Sequence, residues 1–412
     1  MTVLPPDAAP PDGAASLRST VVLLALAAFF SGAALRLCDG LLPRLALDFA
    51  VSPGTAGQVV LVFSLAYSLM QLLFGPLGDR FGKARMVTFA LAGCALLSVV
   101  AALATGFRAL LLARVAWGMA AAGIIPLAIA WIGDAVPYEQ RQATLARLLL
   151  GTLSGMTAGQ LAGGLFGDAA VGWRGAFVAM ALGYGAIAAL LASRLARIQA
   201  LVPAAAASQS RGGWGAGLGG MVGVLRVRWN QRVLAATFLE GLFLLGPLAF
   251  LPAYLHLRFG LTLSQASGLI ALYAVGGLAY ALVARRLLAA WGQRRMVQAG
   301  GWMMGLGYAA WWLSPVAWTA APVALMVGFG TYLYHSTLQV LATQMATQSR
   351  GTAVSLFAFI LFFGQAIGVT LAGLAFDHAG PAALLLVPAL ALPVVGQALS
   401  GALARREARG EA

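Results

Sequence analysis

The stretch Gly75-Pro76-Leu77-Gly78-Asp79-Arg80-Phe81-Gly82-Lys83-Ala84-Arg85 decides the reading of this chain. Long uncharged apolar runs flank it on both sides. One acid, three bases and three glycines between such runs make a turn that must reach water. Met86 to Ala104, the run that follows, holds nineteen residues and no charge. That is enough helix to cross ~30 Å of hydrocarbon. The stretch is therefore an aqueous loop between two membrane spans.

Working outward, 61% of the 412 residues are hydrophobic and only 9% are charged. A soluble chain of this length cannot solvate itself with so few charges. In lipid only helices and closed barrels satisfy their backbone, and the short alternating segments of a barrel are absent. The expected class is an all-α membrane protein with twelve transmembrane helices. The runs place the spans near 19–43, 55–77, 86–104, 108–133, 143–167, 174–195, 232–256, 264–286, 296–314, 320–345, 351–376 and 381–403. Residues 1–18 read as a disordered tail, neither a cleavable signal nor a helix. Residues 196–231 read as a linker and 404–412 as a second tail. Cys38 and Cys94 fall inside spans and read as small apolar residues.

The net charge of +14 raises the question of nucleic acid. Its placement answers it. With the N-terminus in the cytoplasm, 20 of the 26 basic residues fall inside and four outside (Arg44, Arg108, Arg174, Arg258). Arg36 and Arg114 lie within spans. This is the positive-inside asymmetry, so no nucleic-acid partner is expected and both termini are placed in the cytoplasm. In the linker, Arg226, Arg228 and Arg232 surround Trp229, which suits a helix lying on an anionic leaflet.

The chain also repeats. Gly82-Lys83-Ala84-Arg85-Met86-Val87 matches Gly292-Gln293-Arg294-Arg295-Met296-Val297 at an offset of 210. Arg141, Gly155, Gly159, Gly164 and Asp168 match Arg350, Gly364, Gly368, Gly373 and Asp377 at an offset of 209. Two separate segments sharing nearly one offset imply two pseudo-symmetric six-helix halves, 19–195 and 232–403. In the second loop copy, Ala289-Ala290 replace Asp79-Arg80. The first loop is thus expected to act as a latch and the second as a basic anchor.

Charges inside a membrane are costly, so each is a functional candidate. Asp39 lies four residues before Pro43, with Arg36 one turn earlier on the same face. Arg114 lies in span 4 and is a candidate partner for Asp39; snorkelling to the surface is the alternative. Glu240 is the one carboxylate inside a span of the second half, eight residues from Arg232. His335 shares a helix face with Tyr332 and Gln339. Tyr67, Gln71 and Tyr273 are further candidates for a polar, aromatic cavity lining. Asp134 is placed to pair with Lys83, the single lysine. Asp79 is placed to cap the positive end of span 11 near Gly351.

These motifs together resemble the major facilitator superfamily, and within it the drug:proton antiporter branch. The opening stretch matches the family's G-x-L-x-D-R-x-G-R/K loop between spans 2 and 3. Arg114-Val115-Ala116-Trp117-Gly118 resembles its R-x-x-Q/W-G motif, whose arginine is linked to proton coupling. Gly155-Met156-Thr157-Ala158-Gly159-Gln160-Leu161-Ala162-Gly163-Gly164 matches the glycines of G-x-x-x-G-P-x-x-G-G, with Gln160 in place of proline. Gly172-Trp173-Arg174 matches the family's start of span 6.

The resemblance implies the major facilitator fold and alternating access. It implies proton-coupled efflux of a small lipophilic compound across a bacterial inner membrane. It assigns proton coupling to Asp39, Arg36, Arg114 and Glu240, and gating to Asp79, Arg80, Lys83, Arg85 and Asp134. The cavity would be lined by Tyr67, Gln71, Trp117, Tyr273, Tyr332, His335 and Gln339. Gly155, Gly159, Gly163 and Gly164 would pack at the interface of the halves. The expected partners are a small-molecule substrate, protons and the bilayer, with the protein a monomer. No cofactor or metal is expected, since His256, His335 and His378 are scattered. Symport or uniport of a metabolite is the alternative. A membrane-embedded hydrolase would need a His/Asp cluster that the chain lacks.

Overall fold

The computed structural model describes residues 11–202, 214–346 and 350–410. These residues form helices and short connections, with no strand among them. Each of the twelve expected spans falls on helical residues. Among the described residues, nine helices are long and apolar enough to cross a membrane. One of them, Leu263–Leu313, takes in two expected spans and divides at Gly292, where φ is 65° and ψ 171°. Gly82, its counterpart in the first half, also has positive φ, 90°. Both loop copies therefore turn on a conformation that glycine adopts without a Cβ penalty. The remaining two expected spans lie on Tyr138–Asp168 and Ala320–Gln344, of 31 and 25 residues. These have the length but carry more polar residues.

One expectation is corrected at the N-terminus. The first helix runs Pro11–Arg36, so residues 11–18 of the expected disordered tail are helical. Proline is well tolerated in a first helical turn, where its missing N–H has no partner to lose, and alanines follow it. Residues 1–10 lie outside the described residues, as do 203–213 in the Pro/Ala/Ser/Gly-rich part of the linker. The linker's last part is helical, Trp214–Arg226, and leads into Arg228–Glu240. The Arg406 guanidinium sits 4.6 Å from the Trp229 ring centre, tying this junction to the last helix.

Within the first half, glycines bring two helices into contact along their length. A Cβ at Gly151, Gly155, Gly159 or Gly163 would sit 2.0–2.4 Å from the carbonyl oxygen of Ala25, Phe29, Ala33 or Leu37 respectively. The second half repeats this. Gly364 meets the Phe238 carbonyl and Gly368 the Leu242 carbonyl, each at 2.3 Å for an added Cβ. Both members of each pair are displaced by the same 209 residues, so the sequence repeat is a repeat of packing. The expected interface role of these glycines is corrected accordingly. Gly155, Gly159 and Gly163 join helices of their own half. Gly164 alone of the four faces the other half, against Leu263 and Ser267.

Two aspartates join the halves. Asp168 accepts hydrogen bonds from the Leu263 and Ser264 backbone N–H groups, at 3.0 and 2.8 Å, and from the Ser264 hydroxyl. Asp377 accepts from the Gly54 N–H at 2.8 Å and from the Ser52 hydroxyl. Among the described residues these five are all the hydrogen bonds between the halves. Both clusters lie at the end of the bundle opposite Gly82 and Gly292, because odd and even spans finish on opposite sides. Among the described residues, the hydrogen bonds between the halves lie at this one end.

Candidate transport site

Proline shapes the first charged pair. Pro43 has no N–H, and its ring clashes with the carbonyl four residues back. That carbonyl belongs to Asp39. The helix accordingly stops at Arg36, makes a 3-10 turn at Asp39–Leu41 and resumes at Leu42–Asp48. At this break the Arg36 Nη1 donates to Asp39 Oδ2 at 3.2 Å. Both residues are buried, at 5% and 0% exposure. The other carboxylate oxygen, Oδ1, has no protein partner.

Arg114 does not pair directly with Asp39, contrary to expectation. Its Nε donates to the Val59 carbonyl at 3.2 Å. Its guanidinium lies over Phe63, 4.0 Å from the ring centre, and near Trp117 at 4.9 Å. Asp39 is already taken by Arg36, and an aromatic face is the alternative seat for a desolvated cation. Arg114 is only 1% exposed, so it does not snorkel. Trp117, expected in the cavity lining, is instead fully buried against Phe63, Phe177 and Tyr184.

The second half holds its own buried pair. Glu240 is 1% exposed and His335 Nδ1 lies 3.0 Å from both of its oxygens. Arg232, eight residues before Glu240 in the chain, is not its partner. Beyond Glu240 the helix widens into a π turn, Gly241–Leu245, just before Pro247. Such turns are frequent at functional sites. The Tyr332 and Phe357 rings flank His335 at 6.5 and 5.6 Å. Gln339 is exposed, and it is not among the residues lining the recess between the halves. The Glu240–His335 pair was missed in the sequence. Its one signal was that these are isolated titratable residues within spans of the same half.

A narrow recess lies between the halves, partly continuous with the outside and with free room of only about 20 Å3, roughly one water. Arg36, Met156 and Gln160 line it from the first half, and Leu248, Tyr273 and Tyr332 from the second. Two of the expected lining residues, Tyr273 and Tyr332, are thus present. Tyr67 and Gln71 are buried in the Gln58–Phe81 helix and are not among the residues lining the recess. The Tyr67 ring meets Phe362 of the second half edge-on, at 4.9 Å.

In the opening loop, Lys83 pairs with Asp134 and lies 3.6 Å from Asp79. Arg80 and Arg85 are exposed, with Arg80 over the Phe81 ring. The expected capping of span 11 by Asp79 involves the surroundings of Gly351 and residues 347–349, which lie outside the described residues.

A bundle with a charged loop, repeated halves and a recess on the seam defines a multi-pass transporter rather than an enzyme. The sequence profile of the Major Facilitator Superfamily matches residues 24–369, and the chain belongs to that family. A probable transporter of Streptomyces coelicolor is 28% identical over 91% of this chain and 85% of its own. A chloramphenicol resistance protein of Streptomyces lividans is 30% identical over 42% of this chain and 45% of its own. Among solved structures, a peptide transporter aligns with a TM-score of 0.75 at 13% identity over 94% of both chains. That last likeness concerns the fold.

Proposed function

We propose that this transporter exports a small lipophilic compound in exchange for protons, by rocking of two six-helix halves. The observation that supports this reading is a buried pair of titratable groups in each half, both beside the recess. Arg36 of one pair lines it; His335 of the other touches Tyr332, which lines it. Asp39, held by Arg36 and under the field of Arg114, takes up and releases the coupled proton. Glu240 with His335 is the second site. Asp79, Arg80, Lys83, Arg85 and Asp134 form the cytoplasmic gate. Twelve spans cross the bacterial inner membrane with both termini in the cytoplasm, and the protein works as a monomer. One proton entering down 100 mV releases ~2.3 kcal/mol. At ~1.4 kcal/mol per tenfold, that sustains a gradient of roughly forty-fold.

The test uses inside-out vesicles with a trapped pH-sensitive dye. Substrate addition should release protons from vesicles holding the wild-type protein. Asp39→Asn should abolish this while the protein inserts and remains monodisperse, and Glu240→Gln should weaken it. Proton flux in the opposite sense would replace export with symport. Unaltered coupling in Asp39→Asn would move the role to Glu240.

A further inference from the structure

We propose that Gln160 is a substrate-recognition residue, whose amide N–H binds a carbonyl or carboxylate oxygen on an apolar substrate. The inference rests on reading the recess as the substrate site. Gln160 lines that recess, is 5% exposed, and its Nε2 has no hydrogen-bond partner in the protein. A buried donor without a partner costs free energy that an apolar side chain of similar size does not. Nothing in the backbone demands glutamine here. The Tyr138–Asp168 helix runs unbroken through position 160. The glycines around it, not the glutamine, make the close approach to the first helix. This is also the position at which the chain departs from the glycine motif it otherwise matches.

The neighbours of Gln160 select the ligand chemistry. The Arg36 guanidinium is a donor with one bond, to Asp39. Tyr273 and Tyr332 add hydroxyls, and no carboxylate lines the recess. The rest of the wall is apolar, with Leu248 and Met156 among it. A donor-rich patch on an apolar wall favours an oxygen acceptor carried on a hydrophobic body and disfavours a cation.

The experiment measures binding of three probes with one apolar body to the purified full-length protein: naphthamide, naphthoate and naphthylmethylammonium. Wild type should bind the first two and discriminate against the ammonium. Gln160→Leu should weaken naphthamide and naphthoate by about tenfold, the size of one lost hydrogen bond, and leave the ammonium unchanged. Gln160→Glu should reverse the order. Gln160→Met serves as a second apolar variant should Gln160→Leu fold poorly. Equal binding of all three by wild type, no binding of any, or the same ratios in the apolar variants would overturn the assignment. Binding is read without a proton gradient. A failure of proton coupling in vesicles therefore leaves this result standing, and the reverse holds too.

Discussion

Asp168 and Asp377 are the same residue of the repeat, and each closes on the other half at the same place. The backbone N–H groups they receive, from Leu263 and Gly54, are again 209 residues apart. In both cases an anion sits at the start of a helix, where the backbone N–H groups and the helix dipole favour it. One end of the seam is thereby held by two equivalent clamps built from a duplicated aspartate.

Removing one clamp should shift the protein toward opening at that end. Asp168→Asn keeps an acceptor but loses the charge, and charge-assisted bonds are worth ~1.5–3 kcal/mol. The expected shift is about tenfold in the ratio of open to closed forms. Asp377→Asn should do the same, and the two should multiply because they lie on different helix pairs. The measure is labelling of Ala271→Cys, on the recess wall, by an impermeant thiol reagent. The background lacks Cys38 and Cys94. Labelling from the Asp168 side that stays at the wild-type rate in the double variant would show that the clamps hold nothing shut.

The same clamp has a defined pH response. Burial of Asp168 would raise its pKa, but hydrogen bonds from Ser264 and Leu263 outweigh it and bring the pKa below the usual carboxylate value. A group with a lowered pKa in the closed form contributes fully above its ordinary pKa. The contribution is lost as pH falls through the lowered value. Labelling of the Ala271→Cys protein should therefore stay flat from neutral to mildly acidic pH and rise only below the ordinary carboxylate range. Asp168→Asn should remove that acidic rise. A rise centred near neutrality would point to another group.

Arg114 should need both its charge and its planar shape. Arg114→Ala leaves the Val59 carbonyl without its donor and the Phe63 face without its cation. Active transport should stop. Arg114→Lys keeps the charge but loses the planar fork, and part of the activity should survive. Export against a gradient by Arg114→Ala would reduce the span-4 arginine to a packing role.

Much of this was legible in the sequence where the interaction was local. Arg36 and Asp39 lie three residues apart, and Pro43 announces the break between them. The loop at Gly82 announced its own charge and turn. The Glu240–His335 pair was not legible, because 95 residues separate its members and no spacing rule connects them. The seat of Arg114 was missed for a related reason: the carbonyl and ring it uses belong to another helix. Gln339 shows a different limit. Its period matched Tyr332 and His335, yet it is exposed and off the lining of the recess, since a shared face says nothing about how far along it a recess runs. For the glycines, small size announced close approach without saying to which helix.

Close approach gives the last expected outcome. Gly155→Ala would place a methyl 2.0 Å from the Phe29 carbonyl oxygen, and Gly364→Ala one 2.3 Å from that of Phe238. Each should cost about 1–3 kcal/mol, as overpacking does. Gly133→Ala meets no atom within 4 Å and lies in a helix, so it should gain up to ~1 kcal/mol. Thermal unfolding in detergent separates these. Equal midpoints for all three would show that the helices slide apart at no cost.

Two points fix a line. Rigid bodies joined at two points along one edge keep a single freedom, rotation about that edge. While Asp168 and Asp377 both hold, their bonds favour rotation about that edge, as the two boards of a book turn about its spine, with the Gly82 end fanning open and shut. The paired aspartates are then more than a lock on their own side. They are the axle for motion on the other, and losing either one should leave the opposite end free to twist as well as to open.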